Sequence, residues 1–465
     1  MSILSTLSIA AQAMKAQQLA LQTIGHNIAN STTPGFSRQR VDLVSAHPSL
    51  EGGVFVGQGV DVEAVTRIVD RFVEAELLGL NGDAGYSETE SKALDSIQEI
   101  FPLSGGVNGA LSEFFGALSD LANNPAGLAE RISVIAKARG LSESLAQTRQ
   151  LLTSAQQNLD HDMQSTVERV NLVLAQIAGL NKQIAFTEVG GEFANDFRDR
   201  RQTLLQEITN LMGATVRDDT NGQVTVTVGG LLLVGTDRYA SFQADDVNLA
   251  GLHALTYVSP DGTSFDASTL VTGGKIGSLL NARDNAMQDM IERVDLFAKN
   301  LVDEVNARHA LGFDLIGNAG GNLFNPIAAV AGAAATVEVD AALAADPRLI
   351  AAAAAPDALP GDNRNALALV DLRSTTLGAL GGQTLEDYFL ALVGDVGVQV
   401  EGAQRRFEFQ QELLTRTQTR RESVSGVNID EEMTKLIQFQ RAFEASSLLV
   451  RSADEMYQAL IEMAG

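Results

Sequence analysis

The sequence predicts a mainly α protein with an inserted β domain, an elongated multi-domain chain whose terminal helices pair as a coiled coil around a body of long-helix bundles. Three observations carry this. Residues 3–28 and 429–461 both space their apolar side chains by alternating threes and fours, although roughly four hundred residues separate them. The stretch from Ala126 to Phe186 keeps the same alternation over many turns. Between residues 213 and 272 the period shortens to two, which belongs to strands.

At the N-terminus, Leu4, Leu7, Ala11, Met14, Leu21 and Ile28 fall on one seam, interrupted by Gln18 and Gly25. At the C-terminus, Met433, Leu436, Phe443, Val450, Tyr457 and Ile461 follow the same rule, interrupted by Gln440, Ser447 and Asp454. An average spacing near 3.5 residues is the coiled-coil period. Both seams are diluted by polar and small residues, so their stability has to come from packing partners rather than from helix propensity. These residues are the candidate assembly interface, with both ends expected to be partly disordered in a free monomer and helical once assembled. The same pattern also suits an antiparallel pair closing a monomeric bundle.

The first helix gives way to Asn30-Ser31-Thr32-Thr33-Pro34-Gly35-Phe36, where Pro-Gly fits the centre of a type II turn. Val54-Phe55-Val56 and Val60-Asp61-Val62 flank Gly57-Gln58-Gly59 and predict a short hairpin. From Asp70 onward helices dominate. The longest carries Leu152, Leu159, Met163, Val170, Val173, Ile177, Leu180 and Ile184, with Gly127, Gly140 and Gly179 as sites of a kink or break. Ile276 to Leu301 and Leu385 to Leu414 have the same character, the latter opened by a Thr384/Asp387 cap. Val224, Val226 and Val228 alternate with Thr225 and Thr227 after the Asn221-Gly222 turn signal. Residues 326–361, rich in alanine and broken by Pro347, Pro356 and Pro360, predict a low-complexity connecting segment. The expected domains are therefore a terminal coiled-coil core (1–60 with 425–465), an elongated helical bundle (61–212 with 273–424) and the β insertion (213–272).

Composition narrows the function. The 465 residues are 45% apolar, enough to bury real cores, and exceed what one compact core holds. Thirty-three basic against 58 acidic residues give a net charge of −25, which disfavours a nucleic-acid groove or an anionic membrane surface. Cysteine is absent, so there is no thiolate nucleophile or cysteine-ligated metal. Tryptophan is absent too, and with 5% aromatic residues few stacking platforms remain for sugars or bases. No run of 18 apolar residues predicts a membrane span, and no basic segment precedes the small apolar run Ile3 to Ala13 as a cleaved signal would require.

Two motifs carry a resemblance. Asn27-Ile28-Ala29-Asn30 followed by Thr33-Pro34-Gly35-Phe36 is similar to the N-terminal signature of the bacterial flagellar axial proteins, the rod, hook and hook-associated subunits. Gly426-Val427-Asn428-Ile429-Asp430-Glu431-Glu432-Met433, with Gln438 to Phe443 and Ala453 to Met456, resembles the matching C-terminal end. Ser37-Arg38-Gln39-Arg40, Asn195 to Arg201 and Gly361 to Asn365 resemble the hook-associated branch rather than the rod or hook branches. The likeness spans nearly the whole chain and is weakest across the β insertion and the alanine-rich segment, where relatives with a further outer domain carry extra sequence.

The resemblance implies a structural subunit of the hook–filament junction. Such a subunit leaves the cell unfolded through the flagellar type III apparatus, without a cleaved signal peptide, and resides in the extracellular flagellum. Its implied partners are copies of itself in a ring or helical layer, the hook protein, a second junction protein, and an export chaperone at the C-terminal end. The paired terminal helices would line the inner tube. Asn428 with Glu431, beside Asp430 and Glu432, is a plausible N-cap group for the last helix.

A rod or hook subunit of the same family is the alternative; a secreted effector or wall-degrading enzyme is a third reading. The enzyme reading finds little support. His26, His47, His161, His253 and His309 show no metal-binding spacing, and consecutive residues of Asp160-His161-Asp162 point to different faces of a helix. Gly57-Gln58-Gly59 and Gly273-Gly274-Lys275 lack the nucleotide-loop patterns. No catalytic residue, metal site or cofactor is expected. Asp196, Arg200 and Arg201 are candidates for an interface, their ordinary meaning being a solvated helix start.

Overall fold

The computed structural model describes residues 3–51, 53–102, 105–190, 193–219, 222–236, 238–245, 247 and 251–464. The chain opens with α1 (Ile3–Ala29) and two β-ribbons formed by β1 (Gln39–Ser45), β2 (Ser49–Glu51), β3 (Val54–Val56) and β4 (Val60–Arg67). Helices α2 (Arg71–Ile100), α3 (Gly106–Asn123), α4 (Leu128–Glu188) and α5 (Asn195–Met212) follow. Two small sheets come next, β5 (Thr215–Asp218), β6 (Val224–Val228) and β7 (Leu231–Val234), then β8 (Ser241–Gln243), β9 (Thr256–Val258) and β10 (Ser264–Asp266). Helices α6 (Gly274–Asn281) and α7 (Met287–His309), joined by one π-helical turn, lead to the short α8 (Ala333–Thr336), α9 (Ala341–Ala345) and α10 (Arg364–Asp371). The long α11 (Leu385–Ser425) and α12 (Ile429–Ala464) close the chain.

The termini of the long helices follow from local chemistry. Asp70 caps α2 by accepting from the Phe72 and Val73 amides, and Thr384 caps α11 by accepting from the Asp387 amide while its hydroxyl meets the Asp387 carboxylate. Helix α4 runs unbroken for 61 residues, about 90 Å at 1.5 Å per residue. Gly140 and Gly179 do not divide it; glycine keeps both backbone hydrogen-bonding groups, and the helix runs through both positions. Gly127 stands just outside, as its N-cap.

The predicted hairpin across Gly57-Gln58-Gly59 does not form. Val54–Val56 pairs backward with Ser49–Glu51, and β4 pairs with β1 in an antiparallel ribbon bulged at Asp42/Leu43. Gly59 takes φ +95, and a β-carbon on it would lie 3.1 Å from Ile9 Cγ2, so glycine suits this approach to α1 where the chain passes from one ribbon into the other.

One connected core runs along α3, α4, α7, α10 and α11, with Leu118, Leu141, Val170, Phe297, Leu369 and Leu392 fully buried in it. The β insertion belongs to this core rather than standing apart. Val224, Val226 and Val228 turn their buried face toward α4, and Phe242 and Tyr257 extend it. Asn181 accepts from the Val224 amide and donates to the Val224 and Gly235 carbonyls, while Asn171 makes the reciprocal pair with Phe242. Of the predicted Asn221-Gly222 turn, Asn221 lies outside the described residues; Gly222 adopts φ +72.

The alanine-rich stretch departs from its expected role as a bland connector. Ala333, Ala334 and Ile350 to Ala353 are buried, and short side chains let this backbone approach three polar groups of the helices. Arg131 donates to the Ile350 and Pro125 carbonyls, Asn365 donates to the Ala351 carbonyl, and the Ala351 amide donates to His309 Nε2 at 2.9 Å. Because His309 Nε2 accepts, its Nδ1 carries the proton and donates to the Gly321 carbonyl at 2.7 Å. Burial lowers the pKa of His309, keeping it neutral. The folded chain therefore binds fewer protons here than the unfolded chain, and stability falls as pH drops below the unfolded value of about 6.5. The melting temperature should fall more between about pH 7 and 5.5 in the wild type than in His309→Gln, whose amide keeps a donor and an acceptor without titrating; equal slopes would contradict this.

Candidate assembly interface

The terminal helices pair within one chain. Asn27, near the end of α1, meets Glu432, near the start of α12, so the two helices run antiparallel. Their buried residues are mostly small: Ala10, Ala16, Ala20 and Thr23 on α1 and Ser446 and Ala453 on α12, joined by the larger Ile24, Asn27 and Glu432. They lie beside the stripe of larger apolar residues read from the sequence. Met14, Leu21 and Ile28 on α1 and Leu436, Phe443 and Val450 on α12 are half-buried at their borders. Leu7, Ala11, Met433, Tyr457 and Ile461 are exposed, and the Leu4 side chain lies outside the described residues.

Beyond Ala453, every described side chain of α12 from Asp454 to Met463 is exposed. Met456, Tyr457, Leu460 and Ile461 are each about half exposed and Met463 is 81% exposed. Upstream, Leu448 and Leu449 extend the same uncovered apolar surface. An end segment of nearly three turns with this many large apolar groups is an unfilled packing surface rather than ordinary surface scatter.

The two family motifs meet at the inner end of the pair. Asn27 Nδ2 donates to Glu432 Oε2 at 2.8 Å and to the Gln39 carbonyl at 2.9 Å, and the Gln39 amide returns a bond to Asn27 Oδ1. Glu432 is 1% exposed; Lys435 supplies its countercharge at 2.8 Å. Asn428 caps α12 by accepting from the Asp430 and Glu431 amides, whereas Glu431 turns away to Arg38 at 2.8 Å. Asn428→Ala should cost about 1 kcal/mol at this helix start, read as about fivefold faster amide exchange over 430–436; unchanged exchange there would contradict it.

The middle motif joins the same node. Gly35 has φ +80, and a β-carbon on it would lie 2.4 Å from Thr203 Oγ1, so glycine is what lets the turn approach α5. Phe36 packs edge-on against His26, with ring centroids 5.4 Å apart. From α5, Asp199 accepts from the Ser37 amide at 2.9 Å and from Arg67 at 2.6 Å; Asp196 accepts from Gln39 at 2.8 Å and contacts His26 at 3.3 Å. Asn195 donates to the Val65 carbonyl at 2.7 Å. Arg421 of α11 bonds Glu74 and the Gly35 carbonyl.

Of the three residues singled out on this motif, only Asp196 makes one of these bonds. Arg200 is exposed along the adjoining cleft. Arg201 turns into the body, where it donates to Asn181 and the Gly222 carbonyl; burial, reinforced by neighbouring Arg198, pulls its pKa down to about 10. The residues missed by sequence reading are Gln39, Arg67, Asn195, Asp199 and Arg421. Asn195, Asp196 and Asp199 share one face of the first turns of α5, a spacing that was visible in the sequence.

Among the described residues no group of three or more His, Cys, Asp or Glu side chains is placed to hold a metal ion, and no helix is long and apolar enough to cross a membrane. Asp160 is a structural clip: burial opposes its ionisation, but bonds from His253 and from Arg283 outweigh this and lower its pKa. The five histidines are spread over separate surroundings, and only His253 of the five meets the Asp160 group.

An open apolar helix pair formed from the two chain ends, attached to a long helical body, is the build of a flagellar axial structural protein, and family models agree along the chain. "Flagella basal body rod protein" matches residues 7–36, "Flagellar hook-associated protein FlgK helical domain" matches 94–324, and "Flagellar basal body rod FlgEFG protein C-terminal" matches 418–463. The chain is 28% identical to flagellar hook-associated protein 1 of Bacillus subtilis over 99% of this chain and 98% of that one. It is 25% identical to the Salmonella typhimurium protein of that name over 99% and 100%. In fold it resembles the flagellar hook junction protein FlgK of Burkholderia pseudomallei, with a TM-score of 0.65 at 17% identity, covering 76% of this chain and 100% of that one. The chain belongs to the flagellar hook-associated protein 1 family. The family is structural and not enzymatic, and its helical-domain match separates the chain from rod and hook subunits.

Proposed function

We propose that the protein is a subunit of the junction between hook and filament, assembled through its terminal helices. The observation that carries this is the end of α12 from Asp454 to Met463, whose apolar side chains are left exposed by the described residues. Copies packed side by side around a tube would bury it, with Leu7, Met433, Tyr457 and Ile461 among the residues at the subunit contacts. The relatives' shared name, hook-associated protein 1, and the junction title of the Burkholderia pseudomallei structure support the same location. Partners would be copies of this chain, the hook protein below and a second junction protein above.

Export unfolded through the flagellar type III apparatus, with a chaperone covering the C-terminal end, fits a chain with no disulfides and an uncovered apolar terminus. The final location is the extracellular flagellum. The test is a strain whose chain lacks residues 454–465: hooks should be present and filaments absent from them, with monomeric filament protein shed into the medium. Normal filaments on those hooks would overturn the reading.

A further inference from the structure

We propose that the contact between the terminal helix-pair unit and the helical body is a polar pivot centred on Asp199, across which the two units change their angle. Its first support is the kind of bond that crosses the contact. Among the described residues, none of the buried apolar side chains of 3–69 or 426–464 belongs to the hydrophobic clusters of the body, which begin at Val73. Among the described residues, hydrogen bonds, the Arg67–Asp199 ion pair and the His26–Asp196 contact span it instead, and Asp199 gathers two of these links: the Ser37 amide of the turn on one oxygen and Arg67 of the ribbon on the other.

The second support is space. A cleft of about 530 Å³ lies on one side, between Asn30, Pro34 and Phe36 of the terminal unit and Arg169, Arg200 and Leu204 of the body. A second cleft of about 330 Å³ lies on the other, between Thr66 and Arg67 and the α5 residues Arg198, Arg201 and Gln202. Interdigitated apolar cores have few voids and resist displacement. A hydrogen-bonded contact flanked by clefts is less constrained, because a bond that opens toward a cleft can be replaced by one to entering water. Rotation about α5 closes one cleft as it opens the other, which is hinge motion about the end of an element.

For a subunit placed where differently curved layers meet, this lets the body tilt while the helix pair keeps its packing; that consequence rests on the junction reading above. The pivot itself is tested on the free chain, so its failure would leave the junction reading standing. The natural absence of cysteine allows clean spin-label pairs. Gln22→Cys with Gln183→Cys reports across the contact, and Ser112→Cys with Ala136→Cys, on α3 and α4, reports within the body; all four positions are exposed or at helix surfaces.

Pulsed dipolar measurements should give a distance distribution at least about twice as wide across the contact as within the body. Asp199→Ala should widen the first further and leave the second, and the helical circular dichroism, unchanged. A cross-contact distribution as narrow as the body's in the wild type overturns the pivot whatever the variants do. A broad wild type unaffected by Asp199→Ala overturns the assignment to Asp199. If that variant loses helix, Arg67→Gln, which removes the ion pair alone, decides in its place.

Discussion

The double variant Leu460→Asp, Ile461→Asp is expected to fold normally and to leave hooks without filaments. Both side chains are about half exposed in the free chain, so their replacement should shift monomer stability by no more than about 0.5 kcal/mol. In the assembly they would be buried between copies, where covering the exposed half of each contributes roughly 1 kcal/mol. A carboxylate put in each place adds a desolvation cost that nothing across an apolar contact offsets. A combined loss of about 5 kcal/mol per contact weakens association several-thousand-fold. Melting curves of the purified monomer and electron micrographs of the cells check the two halves separately. Loss of helix in the monomer, or filaments attached as in the wild type, would contradict the expectation; Glu455→Gln on the same end segment should change neither.

Asn27→Ala should give the largest stability loss of any single change in the terminal unit, about 2–4 kcal/mol. The side chain is fully buried and completes three bonds, two with Gln39 and one with Glu432. Alanine leaves the Gln39 backbone groups unpaired and strips one partner from a buried carboxylate, keeping only Lys435. The loss should appear as early melting of α1 and α12, read by amide exchange, while α3 and α4 keep their protection. A uniform loss over the whole chain would mean that the terminal unit and body unfold together, against the polar character of their contact. Asn27→Asp should not rescue, because a second carboxylate would then face Glu432 across 2.8 Å or so of buried space.

How much of this was legible in the sequence follows from what each residue type reveals. The long helices were, because Leu152 through Ile184 repeat large apolar side chains at helical spacing and all of those lie in or beside the core. The terminal seam was displaced sideways, because the residues that bring α1 and α12 together are Ala10, Ala16, Ala20 and Ser446, and alanine or serine gives no periodic signal against a background of both. The same blindness made a connector of Ile350 to Ala353, which is core. The ribbons were misassigned because Gly57-Gln58-Gly59 carries turn residues whatever two elements it joins; contact with Ile9, fifty residues earlier, decides which.

The joint was the least legible. Asp199 and Arg67 are 132 positions apart, and nothing local marks Asp199 out from Asp196 beside it. What sequence did supply was the three motifs themselves, Asn27 to Phe36, Asn195 to Arg201 and Gly426 to Met433, read separately. Folding explains them together: they are three sides of one hydrogen-bonded node that holds the helix pair to the body.

Electron cryo-microscopy of the assembled hook–filament junction, at a resolution that places the side chains of α12, tests the central claim most directly. The account predicts Tyr457, Leu460 and Ile461 buried against α1 or α12 of a neighbouring copy, forming a continuous inner layer. An α12 end facing open solvent, with copies held together only through the helical bodies or the β insertion, would contradict it.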